Sequence, residues 1–140
     1  MKGDRIAFRE GYKYQLAESY TVKLDFAPPA VIVTEYILFD LDGTMMVMEG
    51  YAWDGPSGPT YDSLDSMRGS LVHDAGYQLM REKHLDPTVY RDSFDREFWK
   101  MLIEDGMLEI LANGWYDGVH LFAASAADPA NDKLVIYAPH

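Results

Sequence analysis

The side chains best suited to chemistry lie on one predicted helix in the second half of the chain. His73 and Tyr77 are four residues apart and therefore share one face of that helix. Asp74 projects about 100° away from His73, so the two border a common space without pairing side by side. Asp95 lies on the next predicted helix, and antiparallel packing of the two helices would bring its carboxylate to His73. The spacing predicts a general base, His73, whose ring Asp95 orients.

A loop rich in glycine and proline precedes this helix. Residues 54–60 contain two glycines and two prolines, a composition that excludes regular helix or central strand. Asp54, Gly55 and Gly58 lie in this loop and are candidate contacts for a cation or a substrate, together with the loop carbonyls. On the helix side, Asp74 is the candidate metal ligand.

Residues 51–98 resemble the calcium-dependent secretory phospholipases. Those enzymes have a Gly-rich calcium loop, then a helix with His-Asp-x-x-Tyr, then a helix with Asp, and this chain has the same order. The resemblance implies that His73 activates a water, that Asp74 binds calcium, and that Asp95 orients His73. Tyr77 would support Asp95. The resemblance also implies calcium as the cofactor, acting as a Lewis acid at an ester carbonyl.

The chain departs from those enzymes at two points. It contains no cysteine, whereas they hold the two helices together with disulfides. Pro56 stands in the loop where they have glycine, and proline changes which amides and carbonyls can face a cation. The lack of cysteine also excludes thiolate metal sites and a disulfide-stabilised secreted scaffold.

A second resemblance covers residues 45–122. In this part the chain resembles a family of small uncharacterised proteins encoded mainly by tailed phages and prophages. The resemblance implies a phage origin and no particular activity, and it fits a virion part, a lysis accessory or an anti-defence factor. It is carried by Tyr51-Ala-Trp-Asp-Gly-Pro-Ser-Gly-Pro, Leu71-Val-His-Asp-Ala-Gly-Tyr, Tyr90-Arg91 with Asp95-x-x-Phe98, and Tyr116-Asp-Gly-Val119.

Residues 39–44 match the signature of the haloacid-dehalogenase-like phosphatases, Phe-Asp-Leu-Asp-Gly-Thr. In those enzymes the first Asp is a nucleophile and the second a general acid, and the motif leads into a helix. Here a β run follows at once, and no later Asp-Asp pair occurs. Asp-Gly between two apolar runs is a hairpin signal, so these residues predict a turn.

Hydrophobic periodicity gives the elements that must position the site. Three runs, 12–24, 31–39 and 45–53, are rich in β-branched and aromatic residues and predict an antiparallel meander of about three strands. Asp86 and Pro87 predict the start of a helix that ends at Gly106. Other helices are predicted over 63–81, where apolar residues recur at spacings of three and four, and over 108–123.

The predicted fold class is therefore α+β. An N-terminal antiparallel β meander is followed by two to three packed helices and a short C-terminal strand at 134–137. With 140 residues, the chain has the size of a single domain, 1–140.

Charge and hydropathy exclude some partners. The formal net charge of -11 argues against a nucleic-acid partner and against docking on anionic lipid through bulk charge. Residues 1–25 lack the apolar core of a signal peptide, and no apolar run is long enough to form a transmembrane segment. For a phage product, this predicts the cytoplasm of the infected host cell or the virion.

Three function classes remain open. The first is a phage-associated ester hydrolase built on His73, Asp95 and Asp74. The second is a non-enzymatic protein, either a virion component of the tail or baseplate or an anti-defence protein that binds a host factor, in which the same polar cluster only locks helices together. The third is a small-ligand binder that would form a homo-oligomer with a shared pocket. An enzyme requires His73 to be reachable from solvent, whereas a structural lock requires it to be sealed.

Overall fold

A computed structural model describes residues 6, 8–10, 14–53 and 64–122 of the chain. The chain divides into two compact units, of which the first contains the described residues up to Trp53 and the second contains residues 64–122. The regular structure described in the first unit is β and in the second is α. The α+β class is therefore confirmed, while the assignment of 1–140 to a single domain stays a prediction. The expected strand at 134–137 and the loop at 54–60 lie outside the described residues.

Short antiparallel strands form two sheets in the first unit. One sheet has the order β1-β2-β7, and the other has the order β3-β6-β5-β4. In the second sheet three consecutive strands pair as a meander, and β3 lies beside the last of them, which is a Greek-key order. The strands are β1 (Phe8–Glu10), β2 (Tyr14–Leu16), β3 (Tyr20–Lys23), β4 (Ile32–Val33), β5 (Ile37–Phe39), β6 (Thr44–Val47) and β7 (Ala52–Trp53).

Each of the three predicted β runs is interrupted by a bend, so the expectation of about three strands was too low. In the run 31–39, the Thr34 N–H donates to the Ile37 carbonyl at 2.8 Å, and Thr34 Oγ1 accepts from the Ile37 N–H at 3.0 Å. In the run 45–53, Gly50 has a φ of 96°, a left-handed conformation that turns the chain between β6 and β7. The first run bends between β2 and β3, which belong to different sheets.

The Asp-Leu-Asp-Gly turn is the predicted hairpin between β5 and β6. The Asp40 N–H donates to the Thr44 carbonyl at 2.8 Å, and Asp42 Oδ1 accepts from the Thr44 N–H at 2.9 Å. Gly43 has a φ of 89°, and a Cβ built there would lie 2.8 Å from the Leu24 carbonyl oxygen. The strand that carries the phosphatase-like signature is thus antiparallel to its successor and leads into a turn, not a helix.

The four-stranded sheet buries one face. Successive rows of side chains across β4, β5, β6 and β3 alternate between buried and more exposed, as the two-residue period of a strand requires. The buried row is Ile32, Phe39, Met45 and Val22, and the neighbouring outward row is Val33, Leu38, Met46 and Thr21.

The second unit consists of α1 (Leu64–Arg81), α2 (Pro87–Glu104) and α3 (Glu109–Phe122), close to the bounds predicted from the sequence. Asp86 caps α2 by accepting the Thr88 N–H at 3.0 Å, with Pro87 in the first turn. Gly106, at a φ of 103°, ends it. None of these three described helices is both long and apolar enough to cross a bilayer.

Helices α1 and α2 pack antiparallel and very closely, because α1 carries glycine at the contact. A Cβ built on Gly76 would lie 2.3 Å from Cδ1 of Phe94, and one on Gly69 would lie 3.0 Å from Cδ1 of Phe98. The end of the pair is fixed by Arg68, which is 6% exposed. Its Nε donates to both carboxylate oxygens of Asp105, at 3.0 and 3.1 Å.

Helix α3 packs on α2 around a small apolar cluster. The Trp99 indole N–H also donates to Asn113 Oδ1 at 2.7 Å and ties the two helices together. The cluster is formed by Phe98, Leu102, Met107, Ala112 and Val119, with Trp99, Ile103 and Trp115 at its margin.

We expect Gly76→Ala to lower the free energy of unfolding by about 2 kcal/mol, because the methyl group overlaps the buried Phe94 ring. This loss should outweigh the roughly 1 kcal/mol that alanine contributes through helix propensity. Gly114→Ala on α3 is the matched control: nothing lies within 4 Å of its Cβ position, so it should stabilise by roughly 0.5–1 kcal/mol. Urea denaturation of both variants measures the difference, and an equal effect at the two sites would contradict the close α1–α2 contact.

Candidate functional site

The centre of the site is the carboxylate of Asp95 on α2, whose exposure is 0%. Antiparallel packing brings it to the α1 face that carries His73 and Tyr77, as the spacing predicts. His73 Nε2 lies 2.7 Å from Asp95 Oδ1, and the Tyr77 hydroxyl donates to the same oxygen at 2.5 Å. A carboxylate can only accept, so Nε2 of His73 carries the proton. In a neutral ring the other nitrogen, Nδ1, is then unprotonated and basic.

The His73 ring is also held by aromatic contacts. It stacks on Tyr77 with ring centroids 4.2 Å apart and an interplanar angle of 30°. Phe98 lies on it at a centroid distance of 5.2 Å. Hydrogen bonding at one nitrogen and ring contacts therefore fix both the tautomer and the orientation of the imidazole.

Tyr77 serves as a permanent donor to Asp95. The pKa of the Tyr77 phenol is raised above its ordinary value, mainly by burial and also by the hydrogen bond to Asp95. The hydroxyl therefore stays protonated at neutral pH. One oxygen of Asp95 thus has two donors, both from α1.

Sequence reasoning missed the part of the site that α3 supplies. His120 Nδ1 lies 3.2 Å from Asp95 Oδ2, and the Tyr116 hydroxyl donates to Asp92 Oδ1 at 3.1 Å. Burial and this hydrogen bond raise the pKa of Tyr116. A signal was present in the sequence: Tyr116 and His120 are four apart, the spacing that His73 and Tyr77 have on α1. The histidines show no metal-ligand spacing, so the Tyr116–His120 pair was not predicted as part of the site.

The structure brings three of the predicted site residues together and leaves the others apart from them or undescribed. His73, Tyr77 and Asp95 form one cluster, as stated above. Asp74 is the one residue between 66 and 80 that is not buried. The predicted loop contacts Asp54, Gly55 and Gly58 lie outside the described residues.

A carboxylate that is half-buried is a ligand type suited to calcium, so Asp74 fits the metal role in chemistry and exposure. Within residues 6, 8–10, 14–53 and 64–122, no group of three His, Asp or Glu side chains is arranged to hold a metal ion.

No protein-family model, curated protein or solved structure matches this chain. The resemblances to secretory phospholipases and to tailed-phage proteins therefore remain expectations from the sequence.

Replacing Asp95 tests how much the cluster contributes to stability. Asp95→Ala should lower the free energy of unfolding by about 3–5 kcal/mol, because it leaves donors from His73, Tyr77 and His120 without an acceptor. Asp95→Asn keeps one oxygen for His73 and Tyr77 and should cost only about 1–2 kcal/mol. Guanidinium unfolding curves compare the two, and near-equal losses would mean that the shared oxygen is not the main contact.

Proposed function

We propose that this protein is a hydrolase in which His73 is the general base. The observation that carries the proposal is the 2.7 Å contact between His73 Nε2 and Asp95 Oδ1. That contact commits one ring nitrogen to Asp95 and leaves Nδ1 as the nitrogen that can accept a proton. A histidine oriented by a buried carboxylate is the base–orienter arrangement used to activate a water or a hydroxyl.

The protein's own residues account for the proton transfer. Nδ1 of His73 removes a proton from a water as the water oxygen attacks the substrate carbonyl, and the resulting imidazolium is stabilised by Asp95. The ring then returns the proton to the leaving alkoxide, and the ester bond breaks. Tyr77 holds Asp95 in place throughout by its hydrogen bond. Because its pKa is raised, the Tyr77 phenol stays protonated and does not act as an acid at neutral pH.

The proposed substrate class is an ester of the phospholipid type, with calcium as the cofactor. This rests on the order of motifs that the chain shares with secretory phospholipases and on Asp74, which follows His73 directly and retains partial exposure. Asp74 would supply one carboxylate ligand for the ion, and Asp54, Gly55 and Gly58 are the loop ligands that the resemblance implies. Calcium, when bound, supplies a Lewis acid that polarises an ester carbonyl.

The proposed origin is a tailed phage or prophage. Its support is the order of the loop, the His-Asp-x-x-Tyr helix and the Arg-x-x-x-Asp helix along the chain. A phage product of this kind would act in the cytoplasm of the infected host cell or as part of the virion.

One observation favours a non-enzymatic alternative. The His73 side chain is only 8% exposed, and Asp95 joins all three helices of the second unit. On this alternative the cluster is a structural lock, and the protein is a virion component of the tail or baseplate or binds a host factor. The two functions share one geometry and differ in whether water and substrate reach Nδ1 of His73.

The test is ester hydrolysis with calcium present, using a short-chain phospholipid and a chromogenic ester. His73→Gln should lower kcat by about 10²–10⁴-fold, the usual contribution of a general base. His84→Gln is the matched control, because this more exposed histidine contacts Glu82 and not Asp95. Calorimetry should show calcium binding to the wild type that Asp74→Asn abolishes without loss of fold.

The opposite result has a defined meaning. If the wild type hydrolyses neither substrate and His73→Gln changes only the melting temperature, the hydrolase proposal is wrong. The structural lock is then the better description, and the search should move to virion and host proteins.

A further inference from the structure

His120 contacts the oxygen of Asp95 that α1 does not use. His73 and Tyr77 both bond to Oδ1, whereas His120 Nδ1 lies 3.2 Å from Oδ2. The His120 side chain is 42% exposed, although the carboxylate that it contacts has no exposure at all. Asp95 therefore joins a buried histidine on α1 to a half-exposed histidine on α3.

We infer that His120 is a positioning residue that holds the Asp95 carboxylate in the plane required to orient His73. This inference rests on the proposed function, in which Asp95 orients the general base. It gives α3 a role in the site that the spacing of residues on α1 and α2 does not predict.

The physical reason lies in how a carboxylate rotates. The torsion that turns the Asp carboxylate is broad and roughly two-fold, so the orientation of the carboxylate is set by its hydrogen bonds. His73 and Tyr77 restrain Oδ1, and the contact from His120 restrains Oδ2, so that the carboxylate is held at both oxygens. An Oδ2 without a donor would also be a buried acceptor without a partner, which costs free energy.

His120 is itself held in place on α3. Its ring stacks on Tyr116, with centroids 5.5 Å apart and an interplanar angle of 22°. Asp92 Oδ1 lies 3.9 Å from His120 Nδ1 and accepts the Tyr116 hydroxyl. With its proton on Nδ1, the His120 ring donates to Asp95 Oδ2.

The test compares two substitutions of His120 that differ in one donor. His120→Asn places its amide nitrogen where Nδ1 stood and keeps an N–H for Oδ2. His120→Phe keeps a ring and removes the donor. Asn113→Ala is the control for helix docking, because it removes a different α2–α3 hydrogen bond, the one from Trp99.

The readout is the NMR resonance of the His73 Nε2 proton, which reports the bond to Asp95 directly, recorded well below each variant's melting temperature. We expect His120→Phe to shift this resonance or to lose it through exchange with water, and His120→Asn and Asn113→Ala to leave it in place. If the wild type hydrolyses ester, kcat should fall about ten-fold in His120→Phe and recover in His120→Asn, as for one hydrogen bond to a charged group.

The outcomes separate the two proposals. An unchanged His73 resonance in His120→Phe overturns the inference about His120, as does an equal change in all three variants. Wild-type protein that hydrolyses nothing overturns the hydrolase, even when the resonance responds as expected. In that case His120 positions Asp95 within a structural lock and not within a catalytic site.

Discussion

The second unit depends on how a carboxylate with no contact to water is stabilised. A charge in that position is tolerated only when donors surround it, and Asp95 has them from two neighbouring helices. The short side chain of Asp95 can reach donors on α1 only if the two helix backbones approach closely. Gly76 makes this approach available, since any larger residue would overlap the Phe94 ring. The glycine on α1 therefore allows the aspartate on α2 to be buried within reach of its donors.

The same contacts that stabilise the helices prepare the His73 ring for proton transfer. A bond to Nε2 and stacking on Tyr77 remove the freedom that a solvent-exposed histidine has, and they leave one nitrogen uncommitted. Preorganisation of this kind is what a general base requires, but it also arises in purely structural clusters. A general base and a structural cluster share this geometry. They differ in whether water and substrate reach Nδ1 of His73.

Local patterns predicted what depends on neighbouring residues. The Asp-Gly hairpin, the capped start of α2 at Asp86 and the spacing of His73 and Tyr77 all follow from interactions within a few residues. The subdivision of the β runs was missed because a bend such as the one at Gly50 is set by pairing with distant strands. His120 was not predicted because the sequence did not indicate how α3 packs on α2, the contact that brings its ring to Asp95.

The ion pair between Arg68 and Asp105 has a consequence for how α1 and α2 align along their length. Sterics already restrict sliding of one helix along the other, because Phe94 packs against Gly76 and Phe98 packs against Gly69. Sliding would separate Arg68 from Asp105 and His73 from Asp95 together, leaving several buried charges unpaired at once. The two polar pairs, at separate points along α1 and α2, thus help to fix the alignment of the helices. They add to the glycine contacts in specifying one alignment of α1 and α2.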